Sequence, residues 1–459
     1  MKSTKAEIHS RVHTIPTCRF EEEARLTPYA GIVVFQALFA RLGMKARLRR
    51  CFSHLHVGEI FGHASITMLL VVHLLLGFRR LRGLDYYRED PLVARVVGLH
   101  KLPDVSTVSR TLRGMDDRSV DALLEENRRL VLDRVASERL SRITADFDGS
   151  VQSTTGHAEG TAVGFNKKKK GARSYYPLFC TLAQTDQFVD MHHRPGNVHD
   201  SNGATAFIDR CLQRLRAVAP AAQMECRVDS AFFSDTIFSA FQKHRAEFSC
   251  SVPFERFAEL KVLAEERLRW KNIDDKWSFF ETRWKPKCWS KKYRILFVRQ
   301  KKKIRQKGPL QLDLFQPTSF SYDYRVIATN KLGKAKTVIL FHHGRGSQEK
   351  MIGEAKQHAA LDLIATRRRN GNRIFTIAGM LAHNLTRELH MAANESVRGT
   401  SRRRRARWQF RSLGTLRQSL IHRGGRLVRP QGHLTLVVNA NKTVQRDITR
   451  YLNALQRVA

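Results

Sequence analysis

The residues that invite a chemical reading are four carboxylates and two cations. In the segment RITADFDGSV, Asp146 and Asp148 alternate with Ile143, Ala145 and Phe147, so a strand there places both acids on one face. Asp229 stands at the C-terminal end of the strand-like run MECRVDS. Glu349 lies in SQEKMIGEAKQHAA, where Met351, Ile352, Ala355, Ala359 and Leu363 recur at helical spacing as a buried stripe. Arg345, Glu349 and Lys356 fall together on another face of that helix, and Ser347 reads as its N-cap. Hard carboxylate oxygens suit Mg²⁺, and two such ions about 3.5–4 Å apart stabilise both oxygens of an in-line phosphoryl displacement. Each feature taken singly also has a plainer reading. For Glu349 it is i,i+4 and i,i+7 charge patterning on a helix surface, and for Asp146 and Asp148 it is edge-strand charge.

Such a site needs elements that bring distant segments to one place. Residues 1–140 read as mainly helical, and within them DVSTVSRTLRGM follows the LysLeuPro at 101–103. Asp104 or Ser106 caps a short helix there, with Val108, Leu112 and Met115 inward and Arg110 and Arg113 outward. That pattern is compatible with a helix-turn-helix-like DNA reader, and its plainer reading is an ordinary amphipathic helix. From Ser141 the pattern changes to strand, strand, strand, helix, strand, helix, strand, ending near Val252. In an open mixed sheet with helices on its faces, sites gather at strand C-termini, so Asp148 and Asp229 converge if their strands are neighbours. Residues 254–340 form a different region, rich in Trp, Phe, Tyr and Lys, with strand-like FFETRW, YRILFV and YDYRVIAT.

Composition narrows the partner. The 459 residues carry 81 Lys plus Arg against 42 Asp plus Glu, a formal net charge of +39. The basic residues are spread along the chain, with runs at Lys167 to Lys170, Lys301 to Lys307, Arg367 to Arg369 and Arg402 to Arg405. A polyanion is the economical partner, and the spread favours a long nucleic-acid track over one patch. The seven cysteines are scattered with no zinc spacing, which fits a reducing compartment. The N-terminal MKSTKAEIHSRVH has no apolar h-region, so no signal peptide is expected. Ala64 to Phe78 is shorter than the roughly 20 residues of a spanning helix and reads as a core helix, with no membrane partner. His192, His193 and His199 read as turn and packing residues, because imidazole is a poor donor for Mg²⁺.

With these residues in view, the sequence resembles the DDE-type transposases of bacterial insertion sequences, in the branch whose ribonuclease-H-like core is interrupted by a β-rich insertion. That branch marks its last acid with Tyr, two residues, Arg, three residues, Glu, six residues and Lys. Here His342, Arg345, Glu349 and Lys356 keep every spacing, with histidine in place of tyrosine, so the role of His342 itself is left open. The stretch from DFDGS through GFNKKKKGARSYYPL is similar to the family's first block, with Phe165 for tyrosine and Lys167 for proline. RPGNVHD, RVDSAFF and AHNLTREL are similar to later blocks.

The resemblance implies an α/β fold: a ribonuclease-H-like mixed sheet flanked by helices, interrupted by a β-rich insertion, with a helical N-terminal domain. Its parts are a DNA-binding region at 1–140, a core at 141–253, the insertion at 254–340, the rest of the core at 341–395 and a basic region at 396–459. It makes Asp148, Asp229 and Glu349 the catalytic and metal-binding triad, with Asp146 the alternative for the first aspartate. Asp148 is preferred because Ser150 follows it as in the family. Arg345, Lys356, His342, Lys167, Lys168, Lys169, Lys170 and Arg110 are then expected on the DNA side. The cofactor implied is Mg²⁺ in a two-metal site, with Mn²⁺ able to substitute. The partners implied are double-stranded DNA, as terminal inverted repeats and target, and a second copy in a synaptic homodimer. The reaction implied is strand cleavage by water followed by strand transfer by the freed 3′-hydroxyl, in a bacterial, cytoplasmic, nucleoid-associated protein. Trp277, Trp284 and Trp289 of the insertion either stack on an unpaired base or pack in the core. The alternatives are an inactive or domesticated sequence-specific DNA-binding protein and a Mg-dependent endonuclease without strand transfer.

Overall fold

Where the sequence alternates, the chain pairs into a sheet, and where apolar residues recur at helical spacing it coils. The computed structural model describes residues 25–56, 60–164, 166, 169–199, 201–301, 322–394 and 408–456. Lys167, Lys168, Arg402 to Arg405, Cys18 and the first twenty-four residues lie outside them. The helices in chain order are α1 (Val33–Arg41), α2 (Met44–Cys51), α3 (His63–Leu76), α4 (Pro91–Val97), α5 (Val105–Arg113), α6 (Asp117–Glu138), α7 (Ala204–Val218) and α8 (Asp235–Lys243). They continue as α9 (Ala258–Glu265), α10 (Ala335–His343), α11 (Gly346–His358), α12 (Arg369–Ala393), α13 (Leu413–Leu416) and α14 (Lys442–Gln456).

The main sheet has nine strands. Five come from the first half of the core: β2 (Arg142–Gly149), β6 (Leu178–Leu182), β7 (Gln187–His192), β8 (Gln223–Val228) and β9 (Glu247–Ser251). Four follow: β10 (Lys271–Asn272), β11 (Trp277–Trp284), β12 (Tyr293–Lys301) and β13 (Tyr322–Thr329). Their order is β10-β11-β12-β13-β9-β8-β2-β6-β7. β2 is parallel to β8, and β8 to β9, while β6 pairs antiparallel with β2 and β7 antiparallel with β6. The segment 254–340 is therefore no separate layer. Its strands extend the core sheet, because β13 pairs with β9 from Ile327↔Ser251 to Thr329↔Ser249.

Two smaller sheets complete the strands. β3 (Gln152–Ser153), β4 (Ala162–Val163) and β5 (Arg173–Tyr175) follow β2, and β1 (Leu26–Thr27), β14 (Gly425–Val428) and β15 (Thr435–Val438) tie the C-terminal region back to residue 26.

Burial follows the patterns. α3 reads as a core helix and is one: its residues from Ile66 to Leu76 are all buried, and Gly77 ends it at φ 108°, a conformation that suits glycine. Among the described residues no helix is long and apolar enough to cross a membrane. α6 joins two cores, giving Leu123 and Leu130 to the helical one and Val131 and Val135 to the one beneath the sheet. α12 seals the sheet's edge. The Asn384 amide accepts from Phe188 N at 2.8 Å and donates to Phe188 O at 2.8 Å, so it satisfies backbone groups that an edge strand would otherwise expose. The five described buried cysteines are free, and burial pushes the Cys51 thiol up to about 12, so it is a packing group and no nucleophile.

Candidate active site

The parallel pairing of β2 with β8 sets the geometry. Its ladder runs from Arg142↔Gln223 to Asp146↔Arg227, and two residues past that last pair come Asp148, near the end of β2, and Asp229, immediately after β8. Neighbouring strands lie about 4.8 Å apart, so both aspartates leave the sheet at the same end of one strand pair. Asp148 Oδ1 accepts from Gly149 N at 2.9 Å, and Asp229 Oδ1 accepts from Ala231 N at 3.0 Å, which caps a short turn.

The two aspartates of β2 stand in different surroundings. Asp146 is buried, and Arg227 holds both its oxygens at 2.6 Å. Burial pushes the Asp146 carboxyl up against the downward pull of that guanidinium. Asp148 lies two residues on, its side chain 19% exposed, at the mouth of the sheet.

The helix that carries Glu349 is fixed over the strand ends from several sides. α11 buries Met351, Ile352 and Ala355, the expected stripe, and Glu354 reaches Arg387 of α12 at 2.8 Å. Its N-cap is Arg345, and Ser347, the expected cap, instead donates to Gly344 O at 2.8 Å. Before it, α10 is pinned to β9. His342 Nε2 meets Ser251 Oγ at 2.9 Å and its Nδ1 meets Ser249 Oγ at 3.0 Å. Burial and then the nearby Arg345 pull that imidazole down to about 3, so it is neutral, and one ring nitrogen donates to one serine hydroxyl while the other accepts from the second. His342 faces the sheet and is buried. The α10–α11 junction also depends on Gly344, where a Cβ would stand 2.2 Å from Arg227 Nη1. The same nitrogen donates to Phe341 O at 3.4 Å.

Arg345 joins the parts. Its Nη2 donates to Glu349 Oε1 at 2.8 Å, and its Nη1 lies 3.6 Å from Asp148 Oδ2. The donor set, three carboxylates of hard oxygen at strand ends and on a helix above them, is the chemistry that Mg²⁺ or Mn²⁺ takes. Among the described residues, however, no group of three His, Cys, Asp or Glu side chains is close enough to hold an ion. The guanidinium of Arg345 stands between Asp148 and Glu349 and offsets part of their charge. The residues fit a divalent cation by type, and Arg345 is the group that lies between Asp148 and Glu349.

The other expected residues are distributed around this site. Lys356 is half-buried on α11, one wall of a cavity that also contains Gly149 and Lys169. Lys170 is exposed in the same loop. Arg110 is exposed on α5, which Asp104 caps by accepting from Thr107 N at 2.6 Å and which buries Val108 and Leu112 as expected. Lys167 and Lys168 lie outside the described residues. Of the tryptophans, Trp289 is buried, stacked on Phe233 with ring centroids 4.5 Å apart, and Trp284 donates to Glu259 at 3.0 Å. Trp277 packs beside the His343 ring, 4.9 Å between centroids.

Sequence reasoning missed Arg227, Ser249 and Ser251. A signal for Arg227 was present, since it precedes Asp229 by two residues on the same strand face, as Asp146 precedes Asp148.

Comparison with known proteins adds an independent finding. A family model described as "Transposase DDE domain group 1" matches residues 21–459. No curated protein matches the chain significantly. Among solved structures, a piggyBac transposase synaptic complex with hairpin DNA is similar over 78% of this chain and 74% of that one, at 12% identity and a TM-score of 0.42.

Proposed function

Because the chain belongs to the DDE transposase family, we propose that it cuts DNA at the ends of its own mobile element, an insertion sequence of a bacterial genome, and joins them to target DNA. The observation that supports the site assignment is the β2–β8 register, whose last pair, Asp146↔Arg227, comes two residues before Asp148 and Asp229, with Glu349 tied to Asp148 through Arg345. Asp148, Asp229 and Glu349 are the ligands in this reading, and Asp146 is the buried partner of Arg227. The family implies dependence on a divalent metal, which we take to be Mg²⁺. When bound, it supplies Lewis acidity toward the phosphate and lowers the pKa of a water nucleophile.

The chain's own residues do the rest. In this reading Asp148, Asp229 and Glu349 come together once Arg345 leaves Glu349, and the buried His342 and Arg227 hold the helix that presents Glu349. Arg345, released from Glu349, and Lys356 are placed to grip phosphate oxygens, the first bidentately and the second as a point charge. No side-chain nucleophile is invoked, so cleavage and joining are successive in-line transfers with water and then a 3′-hydroxyl attacking. The strand order β7-β6-β2-β8-β9, with the first three antiparallel and the last two parallel to β2, supports a ribonuclease-H-like core at 141–253 and 341–395, with 254–340 as its insertion. Residues 1–140 and the basic 396–459 complete the DNA-binding surface, including Arg110 and the lysines at 167–170. Two ends joined to one target imply a synaptic homodimer acting at the nucleoid.

The test is incubation of the protein with Mg²⁺ and duplexes carrying the inverted repeats that flank its gene, read on sequencing gels. Cleavage followed by joining is expected. Cleavage alone would make the protein an endonuclease, and a bound but uncut duplex would leave it a DNA-binding protein.

A further inference from the structure

A trench leads away from the candidate site, and its lining is that of a polyanion track. Two cavities, of 1470 and 1070 Å³, share Ser109, Thr154, Thr155, Ile364 and Ala365, so they form one continuous depression. Each is larger than the roughly 300–1,000 Å³ of a small-molecule pocket. The inner lobe begins at Gly149 and Lys356, directly beside Asp148, and carries Arg80, Arg82 and Lys169. The outer lobe carries Arg113, Arg173, Arg367 and Arg368.

Among the described residues, the only acids in the lining are Glu159 and Asp362. Asp362 is already engaged by Arg79 at 2.5 Å, and Glu159 lies 3.9 Å from Arg368. Arg80, Arg82, Arg113 and Arg367 make no ion pair with any described residue, so their charges are available to a partner. Between the cations the walls are hydroxyls and backbone, from Ser109, Ser153, Thr154 and Thr155. Serine, threonine and backbone N–H groups are the ordinary donors to phosphate oxygens, while arginine supplies the charge. In the floor where the trench meets Asp148 lies Ser150, 2% exposed, whose hydroxyl has no hydrogen-bond partner among the described residues.

We propose that this trench binds the sugar–phosphate backbone of one DNA strand running from the cleaved phosphate at Asp148 to Arg113 of α5. The proposal rests on the transposase reading for the identity of the polyanion, and it adds the path and the residues that line it. It also gives α5 a role other than base reading: its Ser109 and Arg113 form one wall of the trench.

The test uses the full chain and a fluorescein-labelled duplex that spans the junction between terminal repeat and flanking DNA, with affinity measured by anisotropy at several salt concentrations. Two double variants of exposed arginines, R113Q/R367Q for the outer lobe and R80Q/R82Q for the inner, are compared with K276Q, which lies outside the trench. Each double variant is expected to bind about tenfold more weakly and to lose about 0.9 from the slope of log K against log salt per phosphate contact removed, while K276Q binds as the wild type does. Equal melting temperatures show that folding is unaffected. If the wild type cuts the duplex and both double variants keep its affinity and slope, the trench is refuted and the transposase reading stands. If both double variants lose affinity although the wild type neither cuts nor joins, the trench stands and the transposase reading fails.

Discussion

Arg227 grips both oxygens of Asp146 at 2.6 Å, joining β8 to β2 two residues before each strand reaches its own candidate ligand. The pair is buried, and the pull across the strands holds Asp148 and Asp229 in register. It also separates two aspartates that the sequence offered as rivals, one inside an ion pair and one at the open end of the strand.

Asp146→Asn and Asp148→Asn are therefore expected to fail in different ways. The first leaves Arg227 buried with half its partner lost, and breaking a buried pair costs about 3–5 kcal/mol. Its urea midpoint should fall sharply. The second should keep the wild-type midpoint and DNA affinity while losing strand cleavage in Mg²⁺. Equal stability losses in the two variants would defeat the distinction.

Gly344→Ala tests the junction before the Glu349 helix. The added methyl would stand 2.2 Å from Arg227 Nη1, so either the guanidinium or the start of α11 must move. Overpacking of this kind costs about 1–3 kcal/mol. Melting temperature should drop and cleavage should fall further than DNA binding does. A variant indistinguishable from wild type in both would show that the close approach is not needed.

Arg345→Gln removes the cation standing between Asp148 and Glu349. Mn²⁺ binding to the DNA-free protein, followed by electron paramagnetic resonance, should tighten several-fold because the internal competitor is gone. Cleavage should nevertheless weaken, since the same guanidinium is lost to the phosphate. Unchanged Mn²⁺ affinity would mean that Arg345 does not compete for the site.

Acid should unfold the protein through its buried histidines. Burial holds His342 and His193 down to about 3 and His73, His383 and His390 down to about 4, whereas unfolded histidine titrates near 6.5. Below pH 6.5 the unfolded chain takes up protons that the native chain refuses, so this stability is full above that pH and is lost progressively down to pH 3–4. Each such residue contributes up to about 1.4 kcal/mol per pH unit in that window. In His342→Gln, whose amide still bonds to a serine hydroxyl but does not titrate, the loss between pH 6.5 and 4.5 in urea titrations should be smaller by about 2 kcal/mol. An identical pH dependence in variant and wild type would place the titration elsewhere.

What the sequence determined by itself is what neighbours in the chain decide. The alternation around Asp146 and Asp148, the buried stripe of α11 and the spacing of His342, Arg345, Glu349 and Lys356 are local periodicities, legible without a fold. The charge of +39 already pointed to a polyanion. Tertiary structure decided everything that depends on strand register and on helices crossing strands. The pairing of residue 146 with 227 chose the surroundings of each aspartate, and the contact of His342 with Ser249 and Ser251 turned that histidine toward the sheet. The 254–340 segment reads as strand-rich from its composition, but only backbone hydrogen bonding from β13 to β9, which is indifferent to composition, decided that its strands extend the main sheet. Arg345 shows the limit most clearly: spacing put it four residues from Glu349, and only the approach of β2 brought Asp148 to its other side.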